Sequence, residues 1–233
     1  MAGRGQTEEF HRHSGWWIPA AFFLAILTLS GLLLGWYLRP GPRPASPTGQ
    51  SHALGVRVGG VFFTIPANYF EASGTAAEMK AVTLMALFPS WHGYTDADAG
   101  LFAGNAPDSP LIRLALRADS NSLDGRARLD RIYRPHMADP KGEKNGFGLT
   151  RYSFSGGSSY RDYELFAGET AKDLELLLCE RGSSQFPSPN CLAVDRPLGA
   201  NVSYSYRFKR AYLARWQEIS AGVEKLIAKF RPA

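Results

Sequence analysis

The residues best suited to chemistry cluster in a few short stretches. Asp96-Ala-Asp98-Ala-Gly100 places carboxylates at alternate positions ahead of a glycine, as a calcium-binding loop begins. A complete loop needs a further oxygen ligand, a glycine at its sixth position and a glutamate at its twelfth. Here those positions hold Leu101 and Pro107, so the stretch reads as a polar surface loop. Trp91, His92 and Tyr94 lie in the same connection, Pro89–Pro110. Long connections without regular structure are frequent seats of function, and aromatic rings on them make good anchors for a protein partner. The alternative is that the rings fold back over a sheet edge. Trp91, His92, Tyr94, Asp96 and Asp98 are therefore the candidate interaction residues.

Three other stretches carry less. His136 and Asp139 are spaced as an acid–base pair could be, but two prolines flank them and no nucleophile accompanies them. Ser155-Gly-Gly-Ser-Ser159 lacks the Gly-x-Ser-x-Gly pattern and joins two expected strands, whereas a nucleophile turn joins a strand to a helix. Asn201-Val202-Ser203 is a glycosylation acceptor only in a eukaryotic secretory pathway. No glycine loop has phosphate-binding spacing, and His52, His92 and His136 offer no pair at ligand spacing. The expected metal and cofactor complement is none.

Cys179 and Cys191 are the only cysteines, and Gly182, Pro187 and Pro189 lie between them. Two cysteines around a turn-rich loop predict a disulfide in an oxidising compartment; two unrelated buried thiols are the alternative. Neither cysteine adjoins the apolar segment described next, which excludes a lipobox.

These residues sit on a chain of 233 with an uncharged apolar run, Trp16–Leu38. At about 1.5 Å per residue it spans roughly 34 Å, enough for a bilayer core of about 30 Å. Trp16 and Trp17 at one end, and Trp36 and Tyr37 at the other, suit the two headgroup zones. The run is longer than a signal-peptide core and lacks a cleavage site at the expected distance, so an uncleaved anchor is expected. Gly31 and Gly35 are four apart, the spacing at which two membrane helices can approach closely, and predict a homodimer contact. Arg4 and Arg12 precede the run while Arg39 and Arg43 follow it, so charge leaves its direction open. The cysteine pair and the short N-terminus favour a domain outside the cytoplasm.

The expected organisation is a short cytoplasmic tail (1–15), a transmembrane helix (16–38), a proline-rich linker (39–53) and an extracytoplasmic domain (54–233). The net charge is +5. Seven basic residues against two acidic ones between Arg207 and Arg231 account for all of it, a distribution that argues against a nucleic-acid partner.

Within the domain, Gly59-Gly60 predicts a tight hairpin between Val56–Val58 and Val61–Ile65. Val82–Phe88, Leu111–Arg117, Leu149–Phe154, Tyr160–Phe166, Leu174–Cys179, Cys191–Val194 and Asn201–Phe208 read as further strands. Leu111–Arg117 puts Arg113 and Arg117 on its outer face, and Asn201–Phe208 does the same with Ser203, Ser205 and Arg207. A helix is expected over 122–134, weakened by Gly125. A terminal amphipathic helix carries Phe208, Tyr212, Trp216, Ile219, Val223, Leu226, Ile227 and Phe230 on one stripe. The fold class is α+β: a single transmembrane helix, then a mainly antiparallel sheet with a C-terminal amphipathic helix.

The expected function is that of a single-pass protein of the cell (inner) membrane. Its periplasmic or extracellular domain would bind another envelope component in an accessory, assembly or protective role. Two alternatives stay open. One is a membrane-tethered hydrolase acting on envelope material, with His92, Asp96, Asp98 or His136 contributing. The other is an immunity-type protein that neutralises an exported toxin. Beyond the bilayer and such a partner, a homodimer is the remaining association expected.

Overall fold

The structure is a computed structural model that describes residues 17–38, 46–72, 78–120, 122–184, 187–199 and 201–231. The expected tail (1–15), Trp16 and residues 39–45 of the expected linker lie outside the described residues. The chain divides into two compact units, Met1–Pro44 and Ala45–Ala233.

In the first unit, helix α1 (Trp17–Tyr37) has 21 residues, none charged and none buried. It is long and apolar enough to cross a membrane. Thr28, in its middle, donates back to the carbonyls of Leu24 and Ala25 at 3.0 and 2.9 Å, which satisfies that hydroxyl within the helix. Gly31 and Gly35 leave open space beside the backbone.

The second unit is α+β, with eleven strands among the described residues: β1 (Ala53–Val58), β2 (Val61–Pro66), β3 (Glu78–Met79), β4 (Ala81–Leu87), β5 (Leu111–Ala118), β6 (Glu143–Lys144), β7 (Thr150–Ser153), β8 (Tyr163–Glu169), β9 (Leu174–Glu180), β10 (Asn190–Gly199) and β11 (Val202–Lys209). Eight of them form one antiparallel sheet in the order β4-β5-β11-β10-β9-β8-β7-β6. The β1–β2 hairpin and β3 form a second, smaller sheet. Gly59 and Gly60 make the hairpin turn at φ +54° and +85°, the left-handed values that a two-residue turn requires.

One face of the large sheet is sealed. Alternate residues of the central strands, including Leu84, Leu114, Tyr206, Ala193 and Leu177, pack against the hairpin and helix α4 (Trp216–Phe230). The helix contributes Trp216, Ile219, Val223, Leu226, Ile227 and Phe230 to this core. The expected stripe therefore starts later than its spacing suggested. Phe208 belongs to β11, and Tyr212 lies on the 3₁₀ turns Arg210–Arg215.

The opposite face is covered only towards its two ends. Helix α2 (Ala99–Ala103) lays Phe102 over Met85, Leu87 and Leu111, so the connection expected to lack structure carries a short helix. At the other end, helix α3 (Gly125–Arg128) continues as a π turn over Leu129–Tyr133 and a 3₁₀ turn over Arg134–His136. Leu129, Tyr133, Met137 and Phe154 cover Leu165, Leu176 and Val194. The expected helix over 122–134 is thus a compact turn of mixed helical types. Gly125 does not weaken it but allows it: a Cβ there would lie 1.7 Å from the Leu174 carbonyl oxygen, and its N–H donates to Asp173 at 2.6 Å.

β10 runs five residues past its expected end at Val194, through Pro197 to Gly199. It is accommodated by register shifts at Ala193/Arg196 and Pro197/Gly199, since a proline inside a sheet needs a bulge or an edge. Ser203 and Ser205, expected on the outer face of their strand, are buried.

Cys179 and Cys191 are direct cross-strand partners on β9 and β10 and form the disulfide, with Cα atoms 4.0 Å apart and no exposure of either residue. Closing a loop of sequence separation 12 removes chain entropy worth about 3 kcal/mol. Replacing both cysteines by alanine should lower the unfolding free energy measured in urea by that amount and lower the midpoint, with the m-value rising as the unfolded chain loses its cross-link. An unchanged midpoint would show that the bond contributes nothing to stability.

Candidate functional site

The candidate interaction residues are locally tied. Leu87 and His92 form a bridge, and the Trp91 N–H donates to the Leu87 carbonyl at 2.6 Å. Trp91 adopts φ +60°, a region that bulky side chains rarely occupy. The Tyr69 hydroxyl holds the Trp91 carbonyl at 3.0 Å, and the Trp91 ring meets the edge of Phe88 at 5.8 Å. The ring also lies where any side chain on Gly222 of α4 would have to go, 2.0 Å from a Cβ placed there. Trp91 is thereby half-buried. Together with Tyr69, Phe88, His92, Lys225 and Lys229 it borders an open cleft of about 650 Å³.

His92 turns the other way. Its Nδ1 lies 2.9 Å from the Gly93 carbonyl and its Nε2 3.7 Å from the Asp98 carboxylate. That carboxylate also accepts from the Thr95 hydroxyl at 2.8 Å, while the Asp98 N–H donates back to Thr95. Tyr94 packs on Phe102, ring centroids 5.4 Å apart. Asp96 is exposed, with its carboxylate beside Gly49. Thr95 thus caps the 3₁₀ turn Asp96–Asp98, with the Asp98 side chain folded back onto it, and no metal-holding cluster occurs among the described residues.

His136 is exposed, its ring set against Tyr160 at 5.4 Å, and its carbonyl accepts from the Ser155 hydroxyl. Asp139 accepts from the Lys141 N–H instead. Among the described residues, neither histidine hydrogen-bonds to both a carboxylate and a hydroxyl, the geometry that the hydrolase alternative needs.

A polar constellation that the sequence reading did not single out lies between the sheet and α4. Glu175 of β9 has no exposed surface. It accepts from the hydroxyls of Tyr206 and Ser220 and from Arg196 Nη1 at 3.2 Å. Arg196 Nη2 reaches Glu224 at 3.3 Å, and Lys172 reaches the same carboxylate at 2.7 Å. Burial opposes the charge on Arg196, but Glu175 and its other neighbours more than offset this and raise its pKa. Burial also pushes the Tyr204 hydroxyl up to about 12 and the Tyr206 hydroxyl well above its ordinary value. Every charge here has a partner, so the cluster fits a structural lock better than an acid–base pair. One signal for it was available. Glu175 shares the inward period of Leu177 and Cys179, and Ser220 sits within the apolar stripe of α4.

The uncovered middle of the large sheet is basic. Arg113 and Arg207 are direct cross-strand partners on β5 and β11. Arg117 lies on the same face two pleats from Arg113, and Lys209 one pleat from Arg207.

No described protein family matches the chain, and no curated protein matches it by sequence. Two solved structures are similar. Smlt3025, an immunity protein of the Stenotrophomonas maltophilia type IV secretion system, superposes with a TM-score of 0.58 at 15% identity, covering 84% of this chain and 100% of that one. The Neisseria meningitidis iron-regulated outer membrane lipoprotein FrpD gives a TM-score of 0.36 at 13% identity over 81% of this chain and 96% of that one, too distant to carry an argument. The likeness to Smlt3025 is one of fold.

Removing one member of a buried ion pair strands the other and costs about 3–5 kcal/mol. Glu175→Gln should destabilise the protein by that order, and Glu175→Gln with Arg196→Met should recover part of the loss. Additive losses in a double-mutant cycle followed by urea unfolding would show that the two residues do not act as a pair.

Proposed function

We propose that this chain is a membrane-anchored immunity-type protein whose folded unit binds and neutralises an exported toxin. The carrying observation is the fold likeness to Smlt3025, which extends over the whole of that immunity protein. Two further features support the reading. The histidines are engaged by local contacts rather than gathered around a nucleophile. The unit is also built around rigid strands with charged groups on an uncovered face, a form suited to recognising a protein surface.

Immunity can be tested without knowing the toxin. A strain lacking this gene should be killed in contact with its own parent and survive when the full-length chain is supplied on a plasmid. Survival of the deletion strain at parental levels would overturn the reading.

The proposal includes placement. The Trp16–Leu38 segment anchors the chain in the inner membrane, and the disulfide favours an oxidising, periplasmic side for the folded unit. Gly31 and Gly35 would pair two such anchors as a homodimer. A reporter fused after Ala233 should be active only outside the cytoplasm, and Gly35→Ile in that fusion should abolish detergent-resistant self-association. Activity inside would overturn the orientation, and unchanged association would remove the dimer.

A further inference from the structure

The face of the large sheet opposite α4 has an unusual row of residues. Read across the strands, Met85, Arg113, Arg207, Leu192, Leu178 and Leu165 are successive cross-strand neighbours. Two arginines therefore sit directly opposite one another, with apolar residues on either side. Like charges in that position repel, and the protein supplies little to offset them. Glu71 pairs with Arg113 at 2.9 Å. Arg207 is exposed and has no acidic partner among the described residues.

Other groups on this face reinforce the excess of positive charge. Lys209 donates only to neutral oxygens, Asn105 Oδ1 at 2.6 Å and the Ser188 carbonyl at 3.2 Å. Burial lowers its pKa, and although Glu180 opposes this, Arg113 and Arg207 lower it further. Arg117 is more than half exposed and meets Asp195 only at 3.9 Å. Opposite Arg117, Ser203 is 1% exposed and its hydroxyl has no partner among the described residues. Ala115 and Ser205, small side chains, separate the Arg113–Arg207 pair from Arg117.

The geometry points to this open face of β5 and β11 as the surface that docks an extended acidic segment of a partner protein, with its carboxylates on Arg207, Arg113 and Arg117. The inference rests on the immunity-type reading and names the chemistry of its partner. Four residues of strand separate Arg113 from Arg117, about 13 Å. That is the distance between carboxylates four residues apart on an extended chain, and it exceeds the reach of a single small anion. The side chains between are small, Ala115 half-buried and Ser205 buried, so the longer arginines stand above them, and the apolar rows beyond provide a rim against water.

The test uses the full-length chain in neutral phosphatidylcholine nanodiscs, with a fluorescent polyglutamate peptide and its polyglutamine isostere as probes. Polyglutamate alone should bind, more weakly as salt rises. Arg117→Glu with Arg207→Glu should weaken it about tenfold, whereas Lys225→Glu with Lys229→Glu, an equal charge change on α4, should not. Arg117→Gln with Arg207→Gln gives the milder variant should the reversal disturb folding. No polyglutamate binding, equal loss in both variants, or preferential capture of anionic phosphatidylglycerol vesicles through the same arginines would overturn the surface. In the contact-killing assay, the sheet-face variant should fail to protect. If it protects as well as wild type, the surface is wrong and the immunity reading stands. If wild type itself does not protect, the immunity reading fails.

Discussion

The fully buried carboxylate of Glu175 is the constraint around which the folded unit is arranged. A charge with no access to water is tolerated only when its oxygens are occupied. Here the occupants come from three other places in the chain: Arg196 at the β10 bulge, Tyr206 on β11 and Ser220 on α4. The bulge between Ala193 and Arg196 brings the guanidinium to the α4 side. The terminal helix must then lie at one depth and one rotation, because Ser220 reaches the carboxylate only there. Apolar packing by Trp216, Ile219 and Val223 supplies most of the attraction between helix and sheet, but apolar contact is indifferent to small slides. The polar lock is not.

That arrangement leaves the two faces of the sheet with different duties. The α4 side is closed by the helix, the hairpin and the disulfide, and holds the residues whose burial stabilises the fold. The other side is capped near its ends by Phe102 and by the turn carrying Leu129 and Tyr133, with polar and basic residues between. Trp91 belongs with the first duty. Its left-handed backbone and its seat on Gly222 make the 88–92 turn a cover for α4.

Elements whose side chains repeat with a clean period were legible in the sequence. The β1–β2 hairpin, β5, β11 and most of α4 fall within a few residues of their expected bounds, and the spacing of Cys179 and Cys191 around a turn-rich loop gave the disulfide. What escaped was set by contacts between distant segments. Leu111–Arg117 showed two arginines on an outer face and Asn201–Phe208 showed a third. Only the pairing of those strands sets Arg113 against Arg207. Glu175 looked like one polar residue in an apolar strand until β10, β11 and α4 surrounded it. The mid-chain turn was misjudged because Gly125, unfavourable in a free helix, is the residue that permits close approach to Leu174. The Asp96–Gly100 spacing suggested ligands, but the Asp98 side chain is used within its own turn.

The disulfide closes a loop as well as joining two strands. Between Cys179 and Cys191 the chain leaves the sheet, and residues 181–184 are exposed. Such a loop is where a protease would cut first. A single scission there would leave two polypeptides that remain one molecule. The first would hold β1 to β9 and the second β10, β11 and α4, covalently joined at the centre of the sheet and still sharing the Glu175 lock. The exposed loop is therefore expendable as a covalent connection.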